Sequence, residues 1–324
     1  MSTRIPDDAP SYCPYSDCGG KTAGVELSPP SGHRVRRHGI VRKGHYWRAE
    51  DARWIRRYRC LKCRRSFSSS RWTPFFRQKK RRLNQPVAQL LVNGTSERAA
   101  SRMLRINRKT VTRKWVLMSA LAKQERLAEL VKLALAPQKL GELQFDEMES
   151  FERSKCLPLS IPLAVTPERK ILSFRVVSMP AKGPLALISR KKYGPRRDDR
   201  KAGALELFSE ILAVVDPNAL FKTDQKSTYP GWIRARFPRA RHQAFKGKRG
   251  CVVGQGELKK VFFDPLFSFN HTAAMLRANI NRLFRRTWCT TKRPDRLAAH
   301  IELYIQAHNR RVEQQLLRKA ERAA

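Results

Sequence analysis

Four cysteines have the types and the spacing to bind a metal ion. Cys13 and Cys18 bracket the knuckle Pro-Tyr-Ser-Asp, and Cys60 and Cys63 form a C-x-x-C pair. Zinc binds four thiolates tetrahedrally, and each tight turn presents two sulfurs to the ion. The segment between the pairs alternates bulky and basic residues, as a half-exposed strand does. We therefore predict a zinc ribbon with a structural zinc ion.

Other interpretations of these cysteines stay open. His33, His38 and His45 lie between the two pairs and could replace a cysteine as a ligand. The thiols could also be reduced and without a ligand. A redox-active C-x-x-C pair is disfavoured, because no βαβ pattern surrounds it.

Two aspartates are candidates for a second metal site. Asp146 follows a predicted strand over residues 140–145, and Asp224 follows one over residues 218–223. The elements between them are two apolar strands and an amphipathic helix, over residues 159–165, 171–178 and 202–214. This order predicts a ribonuclease-H-like α/β sheet, with chemistry where two neighbouring strands meet. Two carboxylates there can share Mg²⁺ or Mn²⁺, which activates an attacking oxygen and stabilises the leaving one.

A third ligand is expected from a helix predicted over residues 269–286, whose apolar residues recur at helical spacing. Asn270 and Arg277 are seven residues apart, so they share a face of that helix. His271 is turned from Asn270 by about 100°. We therefore expect only one of Asn270 and His271 to reach a metal ion.

Three helices are predicted between the cysteine-rich segment and the first aspartate, over residues 85–92, 96–104 and 108–123. Ser96 and Asn107 can cap the second and the third, and helical character continues to about Leu135. A helix, a short turn and a capped helix are typical of a helix-turn-helix, whose second helix contacts base edges with its first residues. The candidate DNA-binding residues are Arg108, Lys109, Thr112 and Arg113. The alternative is an ordinary three-helix packing unit with solvated charges.

The charge of the chain points to a polyanionic partner. The 324 residues include 68 Lys and Arg against 27 Asp and Glu, a net charge of +41. The apolar content of 41% is enough for a folded core, and no apolar run approaches the ~20 residues of a membrane span. We expect a soluble, cytoplasmic, nucleoid-associated protein that binds nucleic acid. The predicted domains are a zinc ribbon, a basic linker with a helix-turn-helix, and a ribonuclease-H-like domain with a C-terminal helix, over residues 1–70, 71–136 and 137–324.

Over nearly its whole length the sequence resembles transposases of the insertion-sequence-one type and their relatives. The resemblance is carried by the cysteine knuckles, the helix-turn-helix, and the segments 58–68, 145–147, 223–229 and 276–287. It implies an acidic triad on a ribonuclease-H-like domain that cuts and joins double-stranded DNA at the ends of a mobile element. Asp146 and Asp224 match the first two acids. Asn270 falls at the third, which is usually Glu, and Arg277 matches the basic residue seven positions further along.

Asn270 is a departure from the family, because an amide oxygen can ligate Mg²⁺ but supplies no negative charge. An alternative function is therefore a zinc-dependent, sequence-specific DNA-binding regulator with a catalytically inactive ribonuclease-H-like domain. A structure-selective or RNA-directed nuclease is less favoured, because A-form grooves do not admit a reading helix. The resemblance also implies a homodimer or higher oligomer on DNA. The predicted C-terminal helix over residues 295–322 could serve dimerisation or be a solvated basic tail.

Overall fold

The computed structural model describes residues 12–18, 39–246, 264–284 and 287–323. The chain divides into two compact units, Met1–Gln85 and Pro86–Ala324, here called the amino unit and the carboxy unit. His33 and His38, considered above as zinc ligands, lie outside the described residues.

The amino unit contains a three-stranded antiparallel sheet in the order β1-β2-β3. Its strands are β1 (Ile40–Arg48), β2 (Arg53–Cys60) and β3 (Ser66–Ser68). Ile40, Tyr58 and Phe67 pack with the cysteines into a small core. The strands turn most of their basic residues outward, because the side chains of a strand alternate between its two faces.

The carboxy unit starts with three helices: α1 (Asn84–Leu91), α2 (Glu97–Met103) and α3 (Arg108–Leu135). The predicted boundaries are within two residues of the observed ones at the first two helices. Ser96 and Asn107 cap α2 and α3 as predicted, since each side-chain oxygen accepts a backbone N–H of the first turn. The third helix is continuous for 28 residues.

The carboxy unit is built on a mixed sheet in the order β6-β5-β4-β8-β9, with β7 paired to β5. The strands are β4 (Leu140–Phe151), β5 (Pro158–Val165), β6 (Ile171–Phe174), β7 (Val177–Ser178), β8 (Val215–Asp224) and β9 (Arg241–Phe245). Strands β4, β5 and β6 pair antiparallel, whereas β4, β8 and β9 pair parallel. The strand predicted over 171–178 is divided into β6 and β7. The mixed α/β class of this part of the chain is as predicted.

Helices cover both faces of this sheet. The remaining helices are α4 (Leu185–Tyr193), α5 (Arg200–Ile211), α6 (Tyr229–Arg234), α7 (Phe267–Asn279) and α8 (Pro294–Ala323). On one face, Leu143 and Phe145 of β4 pack against α5 and α6. On the other, Met148 of β4 shares a core with α1, α2, α3, α7 and α8. Helix α3 ends at Leu135, and this core contains residues from both sides of that point in the chain. None of the helices in the described ranges is long and apolar enough to cross a membrane.

Helix α7 ends seven residues before the predicted end at residue 286. The turn after α1 explains where it stops, because Gly94 donates its N–H to the carbonyl of Asn279 at 2.7 Å. Gly94 has φ of +80°, and a Cβ there would lie 3.3 Å from the ring of Phe284. Glycine suits this position because other residues are strained at positive φ. Ile280 and Leu283 of the predicted apolar stripe are buried although they lie beyond the helix.

A buried arginine joins α3 to α8, α5 and the edge strand β6. The guanidinium of Arg126 donates two hydrogen bonds of 2.9 Å to Glu302, pairs with Glu210, and donates to the carbonyl of Leu172 at 2.9 Å. Each buried charge is thereby paired and hydrogen-bonded, which offsets the cost of removing it from water.

Candidate functional site

The four predicted zinc ligands come together in the amino unit. The Sγ atoms of Cys13, Cys18, Cys60 and Cys63 all lie within 4.8 Å of one another. The distances Cys13–Cys63 and Cys18–Cys60 are both 3.7 Å, whereas a disulfide would require about 2.05 Å. Tetrahedral zinc with bonds of about 2.3 Å places its sulfurs about 3.8 Å apart. The cluster therefore has the geometry to hold a metal ion such as zinc.

Local contacts hold the two knuckles against each other. Cys60 donates its N–H to the carbonyl of Arg65 at 3.0 Å, which closes the turn that contains the C-x-x-C pair. The side chain of Arg65 then reaches the first knuckle, with 2.6 Å to Asp17 and 4.1 Å to the ring centroid of Tyr15. His45 lies outside the cluster, because its ring packs edge-on against that of Trp54, with 4.7 Å between centroids.

The thiols differ in the ease with which they lose a proton. Burial raises the pKa of Cys13 to about 12. Burial also acts upward at Cys63, but hydrogen bonds from the backbone and side chain of Arg65 outweigh it and lower the pKa of Cys63 to about 6. Since zinc binds the thiolate form, Cys63 would be a ready ligand at neutral pH, whereas Cys13 would have to lose its proton on metal binding.

The two predicted catalytic aspartates lie on neighbouring parallel strands. Gln144 of β4 pairs with Lys222 of β8, so two residues further along each strand Asp146 lies opposite Asp224. Adjacent strands are about 4.8 Å apart, and positions in register share a face of the sheet. Asp146 lies in the middle of β4, because this strand continues to Phe151, whereas Asp224 ends β8.

The environment of Asp146 shifts its proton equilibrium toward the neutral acid. Burial and the negative charge of Asp224 raise the pKa of Asp146 to about 6, although hydrogen bonds from the N–H of Glu147 and the hydroxyl of Tyr229 act in the opposite direction. These donors lie 2.6 Å and 2.8 Å from Oδ1 of Asp146. A bound cation would reverse this preference by neutralising the pair. The donor set therefore fits a hard divalent cation, since carboxylate oxygens are the ligands that Mg²⁺ prefers.

Three residues beside the aspartates were not predicted from the sequence to act in the site: Glu147, Lys226 and Tyr229. The hydroxyl of Tyr229 also lies 3.1 Å from Oε2 of Glu147, and Lys226 forms an ion pair with the same carboxylate. The side chain of Glu147 is only 5% exposed, and the backbone N–H of Lys226 donates to Asp224 at 3.1 Å. Burial and the neighbouring carboxylates raise the pKa of Tyr229, so its hydroxyl remains a donor. Glu147 directly follows Asp146, and Lys226 and Tyr229 shortly follow Asp224. This closeness in sequence was the signal that could have identified all three.

Asn270 lies at the start of α7, which Gln144 attaches to the sheet. The side-chain oxygen of Gln144 accepts the N–H of Phe269 at 2.8 Å, and its amide nitrogen donates to the carbonyl of Pro265 at 3.2 Å. Gln144 precedes Asp146 by two residues, so both lie on one face of β4. This places the first turn of α7 beside the aspartates, and sequence reasoning missed Gln144 as the residue that positions it.

Among the described residues, no acidic side chain joins Asp146 and Asp224 as a third metal ligand. Within the described residues, three or more Asp, Glu, His or Cys ligand atoms gather within 4.8 Å only at the four cysteines. Asn270 is exposed, and its amide nitrogen donates to Asp264 at 2.8 Å, which leaves its oxygen for other partners. His271 packs against Phe267 and has a buried Nδ1 without a hydrogen bond. Arg277 is half-buried two turns along α7 from Asn270.

The candidate DNA-binding residues lie at the start of α3. Arg108, Lys109 and Arg113 are exposed there. Thr112 is half-buried, and its hydroxyl donates to Glu97 of α2 at 2.5 Å. Thr112 therefore joins the two helices, whereas the three basic residues face solvent.

Comparison with known proteins adds no assignment. No protein-family model and no curated protein matches the chain. The function has to be inferred from the residues themselves.

Proposed function

We propose that this protein is a DNA transposase that binds the ends of a mobile element, cuts phosphodiester bonds there and joins the ends to target DNA. The observation that carries the proposal is the parallel register of β4 and β8, which, continued by two residues from Gln144 and Lys222, brings Asp146 opposite Asp224. A ribonuclease-H-like fold is supported by the order of the five main strands. Numbered along the chain, they run third, second, first, fourth, fifth across the sheet.

Binding of DNA is assigned to surfaces outside the carboxylate pair. The turn between α2 and α3 has the length of a helix-turn-helix, and it presents Arg108, Lys109 and Arg113 to solvent. We assign these three to base edges and phosphates, and the cysteine cluster to a structural zinc ion that supports the amino unit. The net charge of +41 supports sequence-independent contact with target DNA. Two copies of the chain are expected to act together, one on each end of the element.

We assign catalytic roles to four residues of the carboxy unit. Asp146 and Asp224 would hold Mg²⁺ or Mn²⁺, with the amide oxygen of Asn270 as a third ligand. When bound, such a cation activates the attacking oxygen and stabilises the leaving oxygen. Arg277 is assigned to the phosphate or to the amide of Asn270.

Tyr229 and Lys226 prepare this site. Because Tyr229 and the N–H of Glu147 both donate to Oδ1 of Asp146, they fix the carboxylate and leave Oδ2 available. Lys226 neutralises Glu147, so that this third carboxylate adds little repulsion toward a phosphate.

The test is metal-dependent cleavage and joining of DNA. The substrate is a plasmid that carries the genomic DNA flanking the gene, incubated with full-length protein and Mg²⁺. We expect nicked and joined products with the wild type, and a loss of about 10³-fold or more with Asp146→Asn or Asp224→Asn, since each removes a metal ligand. Asp216→Asn at the opposite end of β8 is the matched control and should keep full activity. Unchanged cleavage in both ligand variants would refute the proposal.

A second function is favoured by Asn270 itself. An amide replaces the acid expected there, and its nitrogen already bonds to Asp264. A DNA-binding regulator with an inactive domain would bind the flanking duplex specifically and give no metal-dependent product. That pair of results in the wild type would establish the regulator and exclude the transposase.

A further inference from the structure

The hairpin formed by β1 and β2 exposes a row of aromatic rings. Trp47 and Trp54 lie directly opposite each other across the two strands, and they are 50% and 45% exposed. Their ring centroids are 5.6 Å apart at an angle of 69°. His45 extends the row, with its centroid 4.7 Å from that of Trp54. We call these three residues the aromatic row.

The pairing of the strands explains why the row faces outward. Tyr46 pairs with Ile55 on the other face of the hairpin, where Ile55 is only 2% exposed. Because side chains alternate, the residues on either side of that pair must point away from the core. Half of each indole therefore remains in water, where large apolar groups are costly. Such exposure is typical of a surface that binds a ligand.

The charge around the row selects an anionic ligand. Residues 40–60 contain seven Lys and Arg but only two acids, Glu50 and Asp51. Arg56 pairs with His45, so it lies on the same face as the two tryptophans. Of the two acids, Glu50 already accepts a hydrogen bond of 3.1 Å from the backbone N–H of Lys80. Aromatic faces bordered by cations are the combination that binds unpaired bases and their phosphates.

We propose that the aromatic row is a platform for single-stranded DNA, on which unpaired bases stack while the basic residues of the hairpin contact the phosphates. Bases within a duplex already stack on their neighbours, so the ring faces of Trp47 and Trp54 are usable only by a single strand. The platform lies within the amino unit and does not involve Asp146 or Asp224. It therefore stands whether or not the carboxy unit cuts DNA.

The test compares single-stranded and duplex DNA with the full-length protein. Fluorescence anisotropy is measured with a labelled oligothymidine of about 12 nucleotides, within the range of known single-strand site sizes, and with a duplex of equal length. The double variant Trp47→Leu, Trp54→Leu keeps apolar side chains but no aromatic face. We expect it to bind oligothymidine about 10- to 100-fold more weakly, given the strength of base–aromatic stacking, and duplex within about twofold. Retained zinc shows that its amino unit is folded.

Two further variants separate stacking from other effects. Trp288→Leu removes an indole that is 78% exposed in the carboxy unit, and it should leave oligothymidine binding unchanged. The pair Trp47→Phe, Trp54→Phe keeps two aromatic faces and should stay within about fivefold of the wild type, because every base can stack on either ring.

Three outcomes overturn the proposal. The first is an unchanged affinity of the leucine pair for oligothymidine, and the second is an equal loss on the single strand and the duplex. The third is tighter binding of an oligouridine of the same length, which would make RNA the ligand. If the leucine pair loses its zinc, photocrosslinking of a bromouracil-substituted oligomer to the wild type decides. Crosslinks at Trp47 or Trp54 support the platform, and crosslinks confined to other residues refute it.

Discussion

Replacing Asp146 with asparagine should stabilise the metal-free protein while it abolishes metal binding. The side-chain oxygen of the introduced asparagine can accept the same two hydrogen bonds, from Tyr229 and from the N–H of Glu147, that Oδ1 of Asp146 accepts. Its amide nitrogen would replace the second carboxylate oxygen and could donate toward Asp224. The substitution thus removes a buried negative charge and leaves the local contacts intact.

The magnitude follows from the pKa of Asp146, which rises from 3.8 to about 6 on folding, first through burial and then through Asp224. A folded-state pKa above the unfolded one means that the folded state holds the proton more tightly. The stability due to this proton is complete below about pH 4 and is lost as pH rises through about 6. At 1.36 kcal/mol per pKa unit, the ionised carboxylate costs ~3 kcal/mol at pH 8 and about half of that at pH 5.

Urea denaturation in magnesium-free buffer without a chelator measures this effect, since a chelator would strip zinc from the amino unit. We expect Asp146→Asn to raise the free energy of unfolding of the carboxy unit by ~3 kcal/mol at pH 8 and by about half as much at pH 5. Added Mg²⁺ should stabilise the wild type but not this variant. Asp146→Ala leaves the N–H of Glu147 without its acceptor and should be less stable than Asp146→Asn by ~1–3 kcal/mol.

An unchanged or lower stability of Asp146→Asn at pH 8 would contradict this reasoning. So would a gain that stays constant between pH 8 and pH 5, because a buried ionised carboxylate is the only proposed source of the difference. Asp216→Asn on the same strand as Asp224 is the control, and its stability should match the wild type.

Further substitutions test the rest of the fold. Cys60→Ser should abolish the binding of zinc, measured by atomic absorption, because a structural zinc site needs four protein ligands and this change removes one of them. Arg126→Ala should lower the free energy of unfolding in urea by about 3–5 kcal/mol, since it leaves the buried carboxylate of Glu302 unpaired. The exposed Arg310→Ala, which loses an ion pair with Glu125, should cost less than about 1 kcal/mol by the same measurement. Gly203→Ala places a Cβ 2.6 Å from Cγ1 of Val177 and should lower the melting temperature, and adding Val177→Ala should restore most of the loss.

Several elements could be predicted from the sequence, because they depend on interactions between residues that are close together in the chain. Ser96 and Asn107 cap helices at the predicted positions because a capping oxygen acts on N–H groups only two or three residues away. The alternation of apolar residues located the strands that carry Asp146 and Asp224, since this pattern depends only on the geometry of a single strand. The type and spacing of the cysteines predicted the ligand set that the structure brings together.

Long-range contacts decided what the pattern left open. The predicted helix over residues 269–286 stops at Asn279, whose carbonyl accepts a hydrogen bond from Gly94, a residue far away in the sequence. Gln144 looks like an ordinary strand residue, yet its amide holds the start of α7. No local pattern contains both partners of such a contact.

The sequence by itself determined which residues are chemically able to act: four thiols, two aspartates, a strongly basic surface and the helices and strands that carry them. Only the tertiary structure decided that Asp146 lies opposite Asp224, and that Glu147, Lys226 and Tyr229 surround them. It also decided that Trp47 and Trp54 face water while Ile55 does not. The physical reason is that residue type and spacing are local properties, whereas register, burial and the pKa of a carboxyl group depend on segments that meet only when the whole chain has packed.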